Sequence, residues 1–357
     1  MTEQPIISRI EYFTQLTDFA RTAKKGDIVY VATMGFKPLY EPVNGLIQQL
    51  IGAARRGAQV TVLIDAFAFS HPDGTEVGPL WYSRSLTATL SRAFKHKAQC
   101  VNDLRAAGAT VIITNKPRFR FANPVAGRSH IKFAITNRDV YIGGCNLTDP
   151  HQVDAMVVRR NDPEVAKILI DFTAKVAAAP RNTVRLALGG RDSVVTLCDG
   201  ATLIIDAGVR RHSTIEQTAL QAITEAKREV FITLQYPPYG ALVATLDRAR
   251  RRNVACTALF NMPQRFAPPA NVLMAATCMV MRVRGRALLA LNELRHSRRY
   301  MHAKILVADD ALIIGSHNFV NAGVRFGTAE IAIMYNNVEL ASRARQLIAR
   351  QLGAPLL

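Results

Sequence analysis

Amphipathic segments and apolar runs alternate along this chain, and they do so twice. In the first half, Gly45 to Ala54 carries apolar side chains at helical spacing and Arg55-Arg56-Gly57 ends it. Gln59-Val-Thr-Val-Leu-Ile-Asp65 then reads as a buried strand. In the second half, Ala241 to Ala249 is the helix, Arg250-Arg251-Arg252-Asn253 its end, and Val254 to Asn261 the strand. Upstream of these units, Ala23-Lys-Lys-Gly-Asp-Ile-Val-Tyr-Val is echoed by Ala226-Lys-Arg-Glu-Val-Phe-Ile, a helix end running into an apolar strand in each case.

Strands alternating with helices of this length predict β-α-β units, and their continuous apolar character predicts sheets covered on both faces. The fold class is therefore α/β. A repeat of about half the chain is too long for a solenoid and predicts two similar lobes, each a mixed, mostly parallel sheet flanked by helices. Ala-Ala-Ala-Pro180-Arg-Asn and Gly189-Gly190 place the boundary between Phe172 and Arg191, giving lobes 1–180 and 181–357. Two long stretches, from Phe67 to Cys100 and from Met262 to Tyr300, read as irregular and occupy equivalent places in the halves. The first holds Phe67, Phe69, Trp81 and Tyr82; the second holds Arg282, Arg284, Arg286, Arg295, Arg298 and Arg299. Segments of that size commonly carry substrate contacts.

Composition adds a partner class to this picture. With 49% apolar and 20% charged residues, the 357-residue chain is globular in composition, and its net charge of +18 attracts polyanions, either nucleic acid or anionic phospholipid headgroups. Five cysteines, Cys100, Cys145, Cys198, Cys256 and Cys278, are scattered without a C-x-x-C pair, which points to a reducing compartment rather than a disulfide frame or a zinc site. The N-terminus lacks the pattern of a signal peptide. The longest uncharged stretches fall short of the roughly 20 apolar residues that a spanning helix needs. Together these predict a cytoplasmic protein without a transmembrane segment, able to touch the inner face of a membrane peripherally.

The chemistry lies in Ser129-His130-Ile-Lys132-Phe-Ala-Ile-Thr-Asn137, followed by Val140-Tyr-Ile-Gly143-Gly144-Cys-Asn146-Leu-Thr-Asp149. It recurs as Met301-His302-Ala-Lys304-Ile-Leu-Val-Ala-Asp309-Asp310, then Ala311-Leu-Ile-Ile-Gly315-Ser316-His317-Asn318. His, Lys, the Asn137/Asp309 position, Gly and the final Asn recur at the one offset of 172 residues that separates His130 from His302. A single H-x-K carries little weight, since a histidine beside a strand is commonly a satisfied core residue; the duplication supplies the specificity. If each H-x-K begins a strand, period two puts His and Lys on one face. The turn after the next strand, Gly143-Gly144 or Gly315-Ser316, is then expected to let backbone approach a ligand as a phosphate cradle.

These paired segments resemble the phospholipase D superfamily, whose members carry two H-x-K-x-x-x-x-D segments, each followed by G-S/G-x-N, in fused lobes or a homodimer. The resemblance implies one composite active site between two lobes related by a pseudo-twofold, in a monomer that needs neither cofactor nor metal. It implies that one histidine, His130 by the family's commoner usage, attacks phosphorus, while the other, His302, protonates the leaving alcohol and later activates the acceptor. A neutral imidazole must attack and an imidazolium must donate, and both forms are accessible near neutral pH. Lys132, Lys304, Asn146 and Asn318 would hold the non-bridging oxygens, and Gly143, Gly144, Gly315 and Ser316 would line the substrate. A downstream carboxylate usually orients each histidine: chain order assigns Asp154 to His130 and Glu330 to His302. Asn137 departs from the family's Asp, at a position that is mostly structural there. The remaining histidines show no metal spacing, and Cys145 reads as a small packed residue.

Gly143-Gly144-Cys-Asn146-Leu-Thr-Asp149 resembles the GG-x-N-x-x-D of cardiolipin synthases, which makes a phospholipid the leading substrate and phosphatidyl transfer or phospholipase D hydrolysis the leading reaction. Phe319-Val320-Asn321-Ala322-Gly323 departs from that group, and the basic charge suits a nuclease of the same superfamily as the alternative. A non-catalytic phosphate-binding scaffold is the third reading, against which both intact His-Lys pairs speak.

Overall fold

The computed structural model describes residues 5–69, 84–116, 127–148, 151–261 and 299–353. The first half supplies β1 (Ile6–Ser8), β2 (Ile28–Thr33), β3 (Gln59–Asp65), β4 (Thr110–Thr114), β5 (Phe133–Thr136), β6 (Asp139–Gly143), β7 (Gln152–Val153) and β8 (Ala155–Arg160). All but β7 form a seven-stranded sheet in the order β1-β8-β6-β5-β2-β3-β4. The second half supplies β9 (Ser193–Thr196), β10 (Thr202–Ala207), β11 (Glu229–Leu234), β12 (Ala255–Phe260), β13 (Tyr300–Met301), β14 (Ile305–Ala308), β15 (Ala311–Gly315) and β16 (Ala329–Asn336). Its seven-stranded sheet runs β12-β11-β14-β15-β16-β10-β9. The two orders superpose strand for strand from β3-β2-β5-β6-β8-β1 onto β12-β11-β14-β15-β16-β10, so the duplication in the sequence is a duplication of topology.

Both sheets are mixed, but among their described strands parallel pairing is confined to β2-β3-β4 and β11-β12. The mostly parallel arrangement expected from the β-α-β units stops there, because two-residue turns, Asn137-Arg138 and Asp309-Asp310, join the strands after each H-x-K as hairpins. A two-residue connection leaves antiparallel pairing as its geometry. β5 and β14 have no exposed position, as expected for strands covered on both faces.

One apolar core lies between the sheets and belongs to both. It joins Phe133, Ile135 and Ile142 to Ile305, Val307, Ile314 and Ile331, with Leu169 and Phe172 of helix Pro163–Ala178 and Leu347 and Ile348 of helix Val338–Leu352. The outer faces are covered separately, by helices Arg9–Thr22 and Val43–Arg55 on the first sheet and Thr214–Glu225 and Ala241–Arg251 on the second. Local signals stop and start these helices: Ser8 and Glu11 form a capping box, Asp162 caps the helix that Pro163 opens, and Asn337 caps the last one.

The stretch from Phe67 to Cys100 is less irregular than its sequence suggests, since Arg84–Ala106 is helical. Its lysines, arginines and polar residues outweigh the apolar stripe, in which Cys100, Val101 and Leu104 are buried. Trp81, Tyr82 and the arginines from Arg282 to Arg298 lie outside the described residues. Among the described residues no helix is long and apolar enough to cross a membrane.

Candidate active site

The two H-x-K segments meet where the lobes join. Each lies just before a strand rather than inside it, since β5 begins at Phe133 and β14 at Ile305, one residue past the lysine. Alternation still holds: Ile131 and Ala303 enter the shared core, while the flanking His and Lys turn the other way. All four are buried, Lys132 at 0% and Lys304 at 1% exposure. Lys132 Nζ donates to the His130 carbonyl at 2.6 Å, and Lys304 Nζ donates likewise to the His302 carbonyl. Each ammonium thus keeps donors beyond the one that fixes it to its own histidine.

The orienting carboxylates are exchanged relative to the expected pairing. His130 Nδ1 lies 2.9 and 3.0 Å from the Glu330 oxygens, and His302 Nδ1 lies 2.6 Å from Asp154 Oδ2. The cause is backbone pairing across the lobes. Ser129, just before His130, bridges Ala329, just before Glu330; Met301, just before His302, pairs in parallel with Val153, just before Asp154. The His130 amide donates to the Ala329 carbonyl at 2.8 Å, and the His302 amide to the Val153 carbonyl at 2.9 Å. Each lobe therefore delivers its carboxylate to the other lobe's histidine. Chain order pointed the other way, because only the same-lobe assignment places each carboxylate downstream of its histidine; Asp154 precedes His302 by 148 residues.

Burial decides the charge states here. It pushes His130 down to about 4 and His302 down to about 3, assisted by Lys304 and Lys132 and opposed by the partner carboxylates. Burial also lowers Lys304 to about 8 and Lys132 well below its ordinary value. Burial alone would raise the carboxylates, but the neighbouring imidazole and then the cations hold Asp154 and Glu330 at about 2. At neutral pH the pairs are thus neutral imidazole against ionised carboxylate.

A stability profile follows. In the unfolded chain the histidines take up protons near 6.5, whereas in the fold they do so only near 4 and 3, so stability falls as pH drops through that window. Asp154 and Glu330 add a further loss below their ordinary 3.8 and 4.5. Asp206, raised to about 7 chiefly by burial, acts oppositely and costs stability as pH rises toward that value. The melting temperature of His302→Asn is expected to fall less than that of the parent between about pH 6.5 and 4. Parallel melting curves for the two proteins would contradict the assignment.

The Gly143-Gly144 and Gly315-Ser316 turns do not form the expected phosphate cradle. Their amides are already used: Gly143 donates to Lys132 at 3.4 Å, Gly144 to Ala155 at 3.0 Å, Gly315 to Lys304 at 3.3 Å and Ser316 to Ile331 at 2.8 Å, all at carbonyls. Glycine is required for packing instead. A Cβ at Gly143 would lie 2.3 Å from the Ala155 carbonyl oxygen, and one at Gly144 would lie 2.1 Å from Asp154 Oδ1. Where the second copy has Ser316, its hydroxyl donates to Glu330 Oε2, so this turn orients the carboxylate rather than a ligand. Asn146 Oδ1 accepts from the Gly35 amide at 3.1 Å, which leaves its Nδ2 as the outward donor; the Asn318 Oδ1 is buried without a partner among the described residues. Asn137 and Asp309 stand outside the cluster, capping the start of the strand paired with their own: Ile28 N donates to Asn137 Oδ1 at 2.7 Å, and Lys227, Arg228 and Glu229 amides donate to Asp309 at 2.8 to 2.9 Å.

Residues 219–352 match the family model "Cardiolipin synthase, PLD-like domain". The matched segment of the second half is phospholipase D-like. The superfamily read from the paired motifs is thereby borne out, through the copy that contains His302 and Lys304. The whole chain shares the fold of solved structures: 99% of it superposes on 87% of the phosphatidylserine synthase of Haemophilus influenzae Rd KW20, with a TM-score of 0.71 at 14% identity. It also covers 97% of its length against 50% of the polyphosphate kinase of Porphyromonas gingivalis, with a TM-score of 0.53 at 12% identity. No curated protein sequence matches the chain.

Around the histidine and lysine pairs lie further buried residues that the sequence did not assign to the site. Arg9, 1% exposed, reaches from the first helix to donate to the Asn146 and Thr148 carbonyls at 2.8 and 2.6 Å, with Nη1 4.0 Å from Asp154. It therefore fixes the Asn146 turn and the carboxylate that holds His302 together. On the other side, buried His317 accepts from the Phe319 amide through Nδ1 at 2.9 Å, and its Nε2 lies 3.5 Å from Ser213 Oγ. Burial lowers this imidazole while Glu330 opposes the shift, as suits a residue packed into a turn.

Proposed function

We propose that this chain is a phosphatidyltransferase of the cardiolipin synthase type, acting on the phosphodiester of an anionic phospholipid through a phosphohistidine. The observation that carries the reading is the reciprocal pairing of two buried imidazoles with two carboxylates from opposite lobes, beside two buried ammoniums. Because both Nδ1 atoms are engaged, Nε2 is the reactive nitrogen of each ring. His130 Nε2 forms a bond to phosphorus as the bond to the leaving alcohol breaks, and the proton on His302 Nε2 passes to that alcohol. His302 then takes a proton from the incoming alcohol, whose oxygen displaces His130 from phosphorus. Water as acceptor makes the same sequence a hydrolysis. Burial, assisted by the lysines, holds both rings neutral before substrate arrives. A bound phosphodiester brings a negative charge between those lysines, which favours protonation of the ring that must donate. Lys132, Lys304, Asn146 and Asn318 are assigned to its non-bridging oxygens.

The two halves, 1–180 and 181–357, would each contribute one His-Lys pair in a monomer, and the +18 charge would hold the protein peripherally at an anionic inner membrane face. That same charge favours a nuclease as the second reading. Incubating the protein in EDTA with phosphatidylglycerol vesicles and, in parallel, with single-stranded DNA separates them. New cardiolipin or phosphatidic acid is the expected result. Shortened DNA with unchanged lipid would replace the lipid reading with the nuclease.

A further inference from the structure

A second basic feature lies beside the histidine site, at the same seam. A cavity of about 510 Å³ opens between Asn115, Gly127 and Arg128 of the first lobe, Arg181 and Arg185 of the connecting segment, and Arg210 with its neighbours in the second lobe. Among the described residues none of its lining side chains is acidic. The Arg181, Arg185 and Arg210 guanidiniums form no ion pair with the described residues, unlike Arg159, Arg160 or Arg345, each of which meets a carboxylate.

Arg128 makes the cavity more than a patch of surface charge. Its Nη1 lies 3.4 Å from Asp65 Oδ1 and its guanidinium stacks 4.3 Å from the Phe67 ring, which fixes the plane. Nε and Nη2 are buried with no acceptor among the described residues. A guanidinium held in one plane with a free Nε and Nη edge presents the fork that binds phosphate oxygens in pairs. Asp65 offsets one of the four charges and leaves about three to be met by a ligand.

The backbone behind the cavity is built for close approach. Gly208 and Gly327 have φ of 76° and 72°, and a Cβ on either would lie within 2.8 Å of the other's carbonyl oxygen. The chain then runs directly into the site: Arg128 O accepts from the Ala329 amide at 2.7 Å, and His130 and Glu330 follow at the next positions of that bridge.

We infer that this inter-lobe cavity is a binding site for a small, multiply charged phosphate anion, separate from the histidine site and held by Arg128, Arg181, Arg185 and Arg210. The shared chemistry is a phosphate group with two or more negative charges, whether free in solution or on a lipid headgroup. It does not depend on the phosphatidyltransferase reading, because neither histidine contributes to the lining.

Inorganic pyrophosphate is the probe, with binding to the full chain followed by calorimetry and by thermal shift at physiological salt. Arg185 and Arg210 are exposed, so the double variant R185S/R210S should keep the parent melting temperature without ligand and lose roughly ten-fold or more in affinity. His130→Asn should bind pyrophosphate as the parent does. The inference is overturned if millimolar pyrophosphate fails to bind the parent, or if the arginine variant retains full affinity while His130→Asn loses it. Should R185S/R210S be unstable, Arg128→Lys, which keeps the charge and loses the fork, is expected to weaken binding similarly, and unchanged affinity there counts against the site. Phosphatidic acid vesicles distinguish the sources: displacement of pyrophosphate identifies a headgroup as the ligand, and lack of displacement a soluble anion.

Discussion

Replacing either His130 or His302 by Asn is expected to reduce turnover of the phosphodiester by about 10⁴-fold or more, and replacing both is expected to cost no more than the worse single change. Residues that act as one unit are grossly non-additive, since the loss of either partner already removes the concerted step. The two variants should nevertheless fail at different stages. With a substrate whose leaving group needs no proton, such as a p-nitrophenyl phosphodiester, His302→Asn retains the nucleophile and should accumulate the covalent phosphohistidine. His130→Asn should release no p-nitrophenol and form no adduct. The reverse pattern would exchange the roles of the two rings, and appreciable steady-state turnover by either variant would sink the paired-histidine mechanism. Asparagine is a suitable replacement at these 4 to 5% exposed positions, because it leaves an amide to face the partner carboxylate rather than a void.

How far the sequence reached depended on which interactions are local. The helix Val43–Arg55 and strand Gln59–Asp65, and their counterparts Ala241–Arg251 and Ala255–Phe260, were legible because apolar spacing and helix ends are written within a few residues. The His-Lys pairs were legible because they occur twice at one offset. Strand direction after each pair depended on a two-residue turn, Asn137-Arg138 or Asp309-Asp310, which antiparallel pairing explains only once the following strand is known to be a neighbour. The partner of each histidine was out of reach altogether. Glu330 lies 200 residues from His130 and Asp154 lies 148 from His302, and the bridges that join them form only when the lobes dock.

Arg9 shows the same limit from another side. Its neighbours Ser8 and Glu11 announce a helix start, but a single arginine in a first turn reads as a solvated charge. Its burial follows from the turn that contains Asn146 and from Asp154, both more than a hundred residues away. The glycines misled for a related reason. A Gly-Gly or Gly-Ser turn beside a candidate phosphate site invites an anion cradle, yet the amides of Gly143, Gly144, Gly315 and Ser316 complete pairings with the neighbouring strands and with the lysine carbonyls. The absent side chains make room for the Asp154 carboxylate and for the strands that carry both carboxylates.

The exchange of carboxylates between lobes yields the second large effect. Glu330→Gln and Asp154→Asn are each expected to lower turnover about 10²- to 10⁴-fold, the range seen when the group that orients a catalytic imidazole keeps its shape and loses its charge. What distinguishes the crossed arrangement from the sequential one is which ring responds. In ring-nitrogen NMR spectra, Glu330→Gln should move the Nδ1 signal of His130 and leave that of His302, while Asp154→Asn should do the converse; movement of the same-lobe histidine in either case contradicts the crossed pairing. The two variants should also differ in stability. Asp154→Asn leaves the Arg9 guanidinium, 1% exposed and 4.0 Å away, without its carboxylate, and unpairing a buried charge costs about 3–5 kcal/mol. Among the described residues no arginine pairs with Glu330; in Glu330→Gln the Ser316 hydroxyl can still donate to the side-chain amide oxygen and His317 is held neutral beside it, so the loss should be smaller. Adding Arg9→Met to Asp154→Asn removes the stranded charge and should restore part of the melting temperature without restoring turnover. Recovery of activity in that double variant would mean that Asp154 serves only to balance Arg9 and that His302 needs no orienting carboxylate.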